Sequence, residues 1–517
     1  MRHLIQSPGS RRRARTVAVV CVLALAGLGA APSSNPTPAA PQIRWGACPL
    51  PAKDVPEGMQ CGTLEVPLDH ANPAEGKVAV DLARIRAVGP GKRLGSLLLN
   101  YGGPGASGIE DLAADPKALA DLGERYDLVA FDPRGVGHSD PVTCQGESPV
   151  AAELVTTGEI DAAEVLAEIR AQAQLCAKDS GPVLPYMGTV HVARDMDVLR
   201  RALGEPKLNY LGFSYGSRLG AVYAALFPQR TGRIVLDGVD NLTDTLAERA
   251  LTTARARQRA LGSFLTWCAQ RKGCVYGTDA HAAGERVAAL IERLDRKPLA
   301  GDDGEKLNGV TASTAIGQGL FARTMWPDLA DALAMAERDG NPAGLLRILD
   351  PYAAPESQEQ EEEDPDPIPA DNVGASIMAV NCADEPDRSL DEGSPAAAEK
   401  EVARLEGEFR EASKVFGPYL LGLALTCYGR PAGTDFIRKI DRPGAPPMLL
   451  VGTRGDPATP YEWTEQTAER LGSGVVLAYE GEGHTGYLFS SCVRGYVNHF
   501  LLDGQLPAGN RTCPDKG

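Results

Sequence analysis

"LGFSYGSRLG", residues Leu211 to Gly220, sets one hydroxyl between two glycines: Gly212-Phe213-Ser214-Tyr215-Gly216. The preceding "KLNYLGF" reads as a buried strand, and the following "SRLGAVYAALFP" reads as a helix stopped by Pro228. A serine hydroxyl is a poor nucleophile until a base takes its proton and an acid orients that base. A sharp strand-to-helix turn exposes such a hydroxyl, and glycines flank it because side chains there would clash. Glycine and serine are abundant, so this stretch means little until the rest of the chain supplies its partners.

In the α/β-hydrolase order, the acid and then the base follow the serine. His484, in "GEGHTGY", comes after the last apolar strand and is the expected base. The other histidines outside the leader are His70, His138, His191, His281 and His499. His138 also follows a strand but precedes Ser214, and His499 reads as part of a C-terminal helix. Asp456, in "LLVGTRGDPATP", follows the penultimate strand and is the expected acid; its plainer role would be an Asx turn before proline. The rival acid is Asp237 in "VLDGV", one strand earlier. A tetrahedral intermediate also needs backbone N–H donors. Tyr215, next after the nucleophile, supplies one, and Gly103 of "NYGGPG" the other.

Working outward, "GTLEVPLDH" and "VAVDLARIRAV" read as an antiparallel pair around "ANPAEGK". "GSLLLNYGGPG", "YDLVAFDPRGVGHSD" and "GRIVLDGV" are buried strands, and "HVARDMDVLRRALG" is a helix ending on Gly204. Alternating apolar strands and helices predict an α/β fold, a mostly parallel sheet covered on both faces. The alternation stops after Asp240 and returns with "PPMLLVGTRGDPATP" and "GVVLAYEGEGHTGY". The expected organisation is therefore a split core, 43–240 and 445–517, with a large, mainly helical cap at 241–444. The cap includes an acidic stretch, Glu356–Pro367, that reads as a solvated loop.

The N-terminus reads as a secretory leader over residues 1–31: "RRRAR", an apolar run from Val17 to Ala31 too short to span a bilayer comfortably, and a small-residue exit. A Pro-rich spacer follows at 32–42. The leader carries five arginines and no acidic residue, so its removal leaves 47 basic against 68 acidic side chains. Such a surface repels phosphate backbones and excludes nucleic acid as a partner. Cys21 lies in the leader, leaving ten cysteines, an even number that suggests disulfides in an exported chain. Sequence does not determine their connectivity; short loops suggest the neighbour pairs Cys48–Cys61, Cys144–Cys176, Cys268–Cys274, Cys382–Cys427 and Cys492–Cys513. Their spacing is not that of a metal site.

With these residues placed, "NYGGPGASG", "DPRGVGHSD", "GFSYGS", "IVLDGV", "GTRGDPATP" and "GEGHTGY" together resemble the secreted tripeptidyl aminopeptidases. These are S33-like α/β-hydrolases related to proline iminopeptidases, and the resemblance covers essentially the whole mature chain. It implies a secreted, extracellular or cell-wall-associated, monomeric serine exopeptidase without cofactor or metal. Such an enzyme releases short peptides, often tripeptides, from free N-termini. Tyr101 stands where many cytoplasmic iminopeptidases have histidine before "GGPG", which favours the secreted branch. A protonated amine is recognised most directly by carboxylates. The resemblance suggests that "SIMAVNCADEPDR" reaches the site from the cap, making Asp384 and Glu385 the expected substrate-binding pair. Other readings remain at this stage: a proline iminopeptidase-like aminopeptidase, a carboxylesterase or lipase using the same triad, and a non-catalytic binding protein on the same fold.

Overall fold

The computed structural model describes residues 41–144, 161–301, 304–349, 368–385, 387–436, 444 and 446–515. The leader, nearly all of the 32–42 spacer and the acidic stretch Glu356–Pro367 lie outside these residues.

The apolar runs form one ten-stranded sheet. In chain order its strands are β1 Arg44–Gly46, β2 Met59–Pro67, β3 Lys77–Ile85, β4 Gly95–Asn100, β5 Tyr126–Phe131, β6 Leu208–Phe213 and β7 Thr231–Asp237. A separate two-stranded pair, β8 Leu299–Ala300 and β9 Lys306–Leu307, precedes the last three, β10 Met448–Gly455, β11 Gly474–Glu482 and β12 Arg511–Cys513. The spatial order is β1-β2-β3-β5-β4-β6-β7-β10-β11-β12. β1, β2, β3 and β5 pair antiparallel, and every pairing from β5 to β12 is parallel. The three-residue strands β1 and β12 are too short to carry a sequence pattern of their own.

Successive residues of the central strands serve opposite faces. Leu98, Val129 and Leu450 join one apolar cluster, while Leu97, Leu99, Leu128 and Leu449 join another. Helices Thr189–Ala202 and Tyr215–Leu226 cover the first face; Gly108–Ala114 and Ser491–Asp503 cover the second. Burial on both faces explains why these strands read as continuous apolar runs.

Between β7 and β10 the described chain is helical apart from β8 and β9. The first helix, Leu246–Ala269, starts at a capping box in which Thr245 and Glu248 satisfy each other's backbone N–H. The helices share an apolar cluster containing Phe264, Ile316, Trp326, Phe409 and Phe416. Packing does not follow the sequence boundaries. Helix Asn372–Asp384 sends Ala375, Met378 and Val380 into the sheet's cluster. Helix Ala162–Ser180, from the first part of the core, sends Val165, Leu166 and Ile169 into the cap's cluster. An apolar helix stripe buries against whichever apolar surface lies beside it.

All five neighbouring cysteine pairs are bonded: Cys48–Cys61, Cys144–Cys176, Cys268–Cys274, Cys382–Cys427 and Cys492–Cys513.

Candidate active site

β4 lies between β5 and β6: the chain runs from β4 to β5 on one side and then crosses back to β6 on the other. Ligands of open α/β sheets bind at such a switch point, outside the carboxyl ends of the strands. Ser214 sits there, one residue past β6, with φ 54° and ψ −123°. That conformation costs a non-glycine residue about 1–3 kcal/mol. It is held by a bond from Ser214 N to Asp237 O (2.9 Å) and by Ser217, whose N and Oγ both donate to Ser214 O (2.8 and 2.5 Å). The flanking glycines permit close approach. A Cβ on Gly212 would stand 2.4 Å from Gly216 O, and one on Gly216 would stand 2.5 Å from Asn100 O.

The loop after β4 presses on this turn: a Cβ on Gly102 would lie 2.9 Å from Ser214 Cβ. The next residue, Gly103, and Tyr215 both line the cavity over Ser214. Tyr215 opens the helix, so its N–H has no intrahelical acceptor and is free to serve a ligand.

Asp456 comes one residue after β10, and His484 two residues after β11. His484 Nδ1 lies 3.0 Å from both Asp456 carboxylate oxygens. Asp456 also accepts from Ala458 N and Thr459 N (both 2.8 Å) and from Thr459 Oγ1 (3.0 Å). His484 N donates to Phe321 O at 2.7 Å, and the Phe321 ring packs 5.2 Å from the imidazole. Burial pulls the imidazole's pKa down, but Asp456, through its charge and its hydrogen bond, and the charge of Asp237 raise it above the ordinary histidine value. A Cβ on Gly238, next after Asp237, would lie 3.2 Å from His484 Cε1. The imidazole therefore stands against the end of β7, whose Asp237 carbonyl holds Ser214.

Asp237, the rival acid, makes no bond to the imidazole. Its carboxylate accepts from Gly486 N (2.9 Å) and Tyr487 N (2.7 Å), and burial pushes its pKa up to about 7. It fastens the loop that carries His484.

The cavity has a volume of about 250 Å³ and draws its walls from both layers. Gly103, Ser214, Tyr215 and Thr459 contribute from the sheet side. Leu246, Arg249, Ala250, Thr253 and Arg257 contribute from one stripe of helix Leu246–Ala269. Asp384 and Glu385 are not among its described walls. Asp384 accepts from Thr189 N (2.8 Å) and Thr189 Oγ1 and pairs with Arg218 (3.3 Å). Glu385 accepts from Leu246 N and from Asp387 N (2.7 Å). The carboxylate that does line the cavity is Asp240, three residues beyond the end of β7. It is shared between Arg218 (3.1 Å) and Arg249 (3.6 Å). The signal for it was its place just after a parallel strand, where sites gather.

A mostly parallel sheet with a serine turn after one central strand and an Asp–His pair after β10 and β11 is the architecture of an α/β-hydrolase. A family profile described as "alpha/beta hydrolase fold" matches residues 95–323, and one described as "TAP-like protein" matches residues 413–513. The chain is 33% identical over 501 residues to "Serine protease Hip1" of Mycobacterium tuberculosis, covering 91% of each chain. It is 31% identical over 487 residues to "Tripeptidyl aminopeptidase" of Streptomyces lividans, covering 91% of this chain and 86% of that one. It is also 31% identical over 509 residues to "Carboxylesterase B" of Mycobacterium tuberculosis, covering 95% of this chain and 94% of that one. The chain belongs to the tripeptidyl aminopeptidase family of α/β-hydrolases and is a hydrolase.

Proposed function

We propose that this hydrolase is an exported serine exopeptidase that acts as a monomer and releases short peptides, tripeptides foremost, from free N-termini. Ser214 is the nucleophile, His484 its base and Asp456 the acid that fixes the imidazole tautomer. The N–H groups of Gly103 and Tyr215 receive the oxyanion. The observation that carries the reading is the strained Ser214 turn beneath a cavity roofed by helices, with the Asp456–His484 pair bonded to Thr459 of its wall. A nucleophile enclosed this way suits the end of a chain better than its middle. The peptidase names among its relatives support peptide substrates, and five disulfides support export to an oxidising compartment.

One observation favours a second reading, a carboxylesterase. The two carboxylates expected to hold a substrate ammonium are committed to Arg218, Thr189 and the backbone. Mass spectrometry of products from one unblocked peptide and its N-acetylated twin decides between the readings. Stepwise release from the free peptide alone is the expected result. Equal cutting of both, or cutting of neither beside rapid ester hydrolysis, would overturn the exopeptidase.

A further inference from the structure

Two arginines of helix Leu246–Ala269 line the cavity over Ser214, and they are not equivalent. Arg249 belongs to a balanced network. It donates to Asn381 Oδ1 (3.2 Å) and reaches Asp240 (3.6 Å), which Arg218 shares with Asp384. That network holds two guanidiniums and two carboxylates. Arg257 stands outside it. Among the described residues it makes no hydrogen bond and no ion pair, and its Nε is shut from solvent without a partner. Its nearest aromatic neighbour, the Tyr419 ring, lies 6.0 Å away, the outer limit of a useful cation–π contact.

An uncompensated guanidinium in a half-closed cavity is costly to keep. A methionine or leucine would fill the same helical position without that cost. Arg257 also acts on the catalytic centre, because its charge opposes those of Asp456 and Asp237 on His484. Its Nη1 lies 3.2 Å from where a Cβ on Gly317 would stand. Gly317 belongs to the helix Gly309–Gly319 that leads into Phe321, the residue packed on the imidazole. Arg257 thus lines the cavity with its guanidinium packed against the helix that leads to Phe321.

We infer that Arg257 is the anion-recognising side chain of this cavity and that preferred substrates carry a carboxylate close to the scissile bond. The inference rests on the serine-hydrolase reading of Ser214 but not on the choice between peptidase and esterase. A planar guanidinium with free N–H groups suits a carboxylate, which it can grip with two parallel bonds. The carboxylate has two possible sources: an acidic side chain on the acyl part, or a free carboxylate on the departing part.

The test compares kcat/KM for matched substrates that differ only in that charge. Ala-Ala-Glu-p-nitroanilide against Ala-Ala-Gln-p-nitroanilide probes the acyl side. Penta-alanine as free acid against its C-terminal amide probes the leaving side. Mono-p-nitrophenyl glutarate against p-nitrophenyl butyrate asks the acyl-side question of an ester. The charged member of at least one pair is expected to be preferred about 10- to 100-fold. R257M should bring that ratio close to one mainly through KM, and R257K should keep part of it. Ratios near one in the wild type, or a preference that persists in R257M, would overturn the proposal. If R257M does not fold, inhibition of the wild type by glutarate but not glutaramide, weakened in R257K, carries the same test, and equal inhibition by both overturns it. Fluorophosphonate labelling that is lost in S214A reads the hydrolase assignment separately.

Discussion

β7 ends on an aspartate and the loop after β10 begins with one, on adjacent parallel strands. Asp456 receives the imidazole of His484, the backbone N–H groups of Ala458, Thr459 and Thr485, and a threonine hydroxyl. Asp237 receives only the backbone N–H groups of the segment that follows His484, and burial raises its pKa to about 7. Chemically identical side chains one strand apart thus divide the labour. In the proposed mechanism one orients the base, and the other anchors the loop on which that base is mounted. Position in the sheet brings both carboxylates close, but the direction of the His484 ring decides which one it bonds.

The largest expected effect tests that division directly. Asp456→Asn should lower kcat by about 10⁴-fold, because the amide stabilises the wrong tautomer of His484. Asp237→Asn should stay within about tenfold of the wild type. Steady-state rates on one peptide substrate check both, and the reverse pattern would move the acid to β7.

A second contrast sets Asp456 against the acids of the cap. Asp384→Asn removes one partner of a buried ion pair and should cost about 3 kcal/mol of stability, near the low end for such a loss because Asp240 still faces Arg218. The ratio of rates on free and N-acetylated peptide should not change. Urea unfolding and that ratio, measured on the same preparation, test both statements. A collapsed ratio at unchanged stability would return Asp384 to the substrate site.

The smallest effect concerns pH. Catalysis needs neutral His484, whose pKa is raised, so kcat/KM should fall on the acid side with a midpoint above the ordinary histidine value. Asp237 supplies part of that rise through its charge. Asp237→Asn should therefore move the acid limb to lower pH, by less than about one unit. An acid limb that stays in place would show that Asp237 acts on the loop alone.

The sequence was most legible where chemistry and chain order coincide. Ser214, Asp456 and His484 lie in short segments whose strand, turn and glycine content announce them, and the structure brings Asp456 and His484 into contact. The longer strands could be read as apolar runs because both faces of the sheet are buried. The cap was less legible. Asp384 and Glu385 close a helix whose apolar residues pack on the sheet, and a linear sequence does not say which way the last carboxylates turn. Nor did it single out Arg249 and Arg257. On a helix containing "ARARQRAL", a guanidinium facing a cavity and one facing water have the same spacing. Asp240 was overshadowed by Asp237, the better match to an expected acid.

The disulfides join cysteines that are consecutive along the described chain, with separations of 6 to 45 residues. For a polypeptide threaded across a membrane amino end first, that connectivity is an assembly schedule. Each thiol, as it emerges, meets the partner it will keep before the next pair has appeared. The first bond available to each pair is then the native one, so the order of emergence itself works against mispairing.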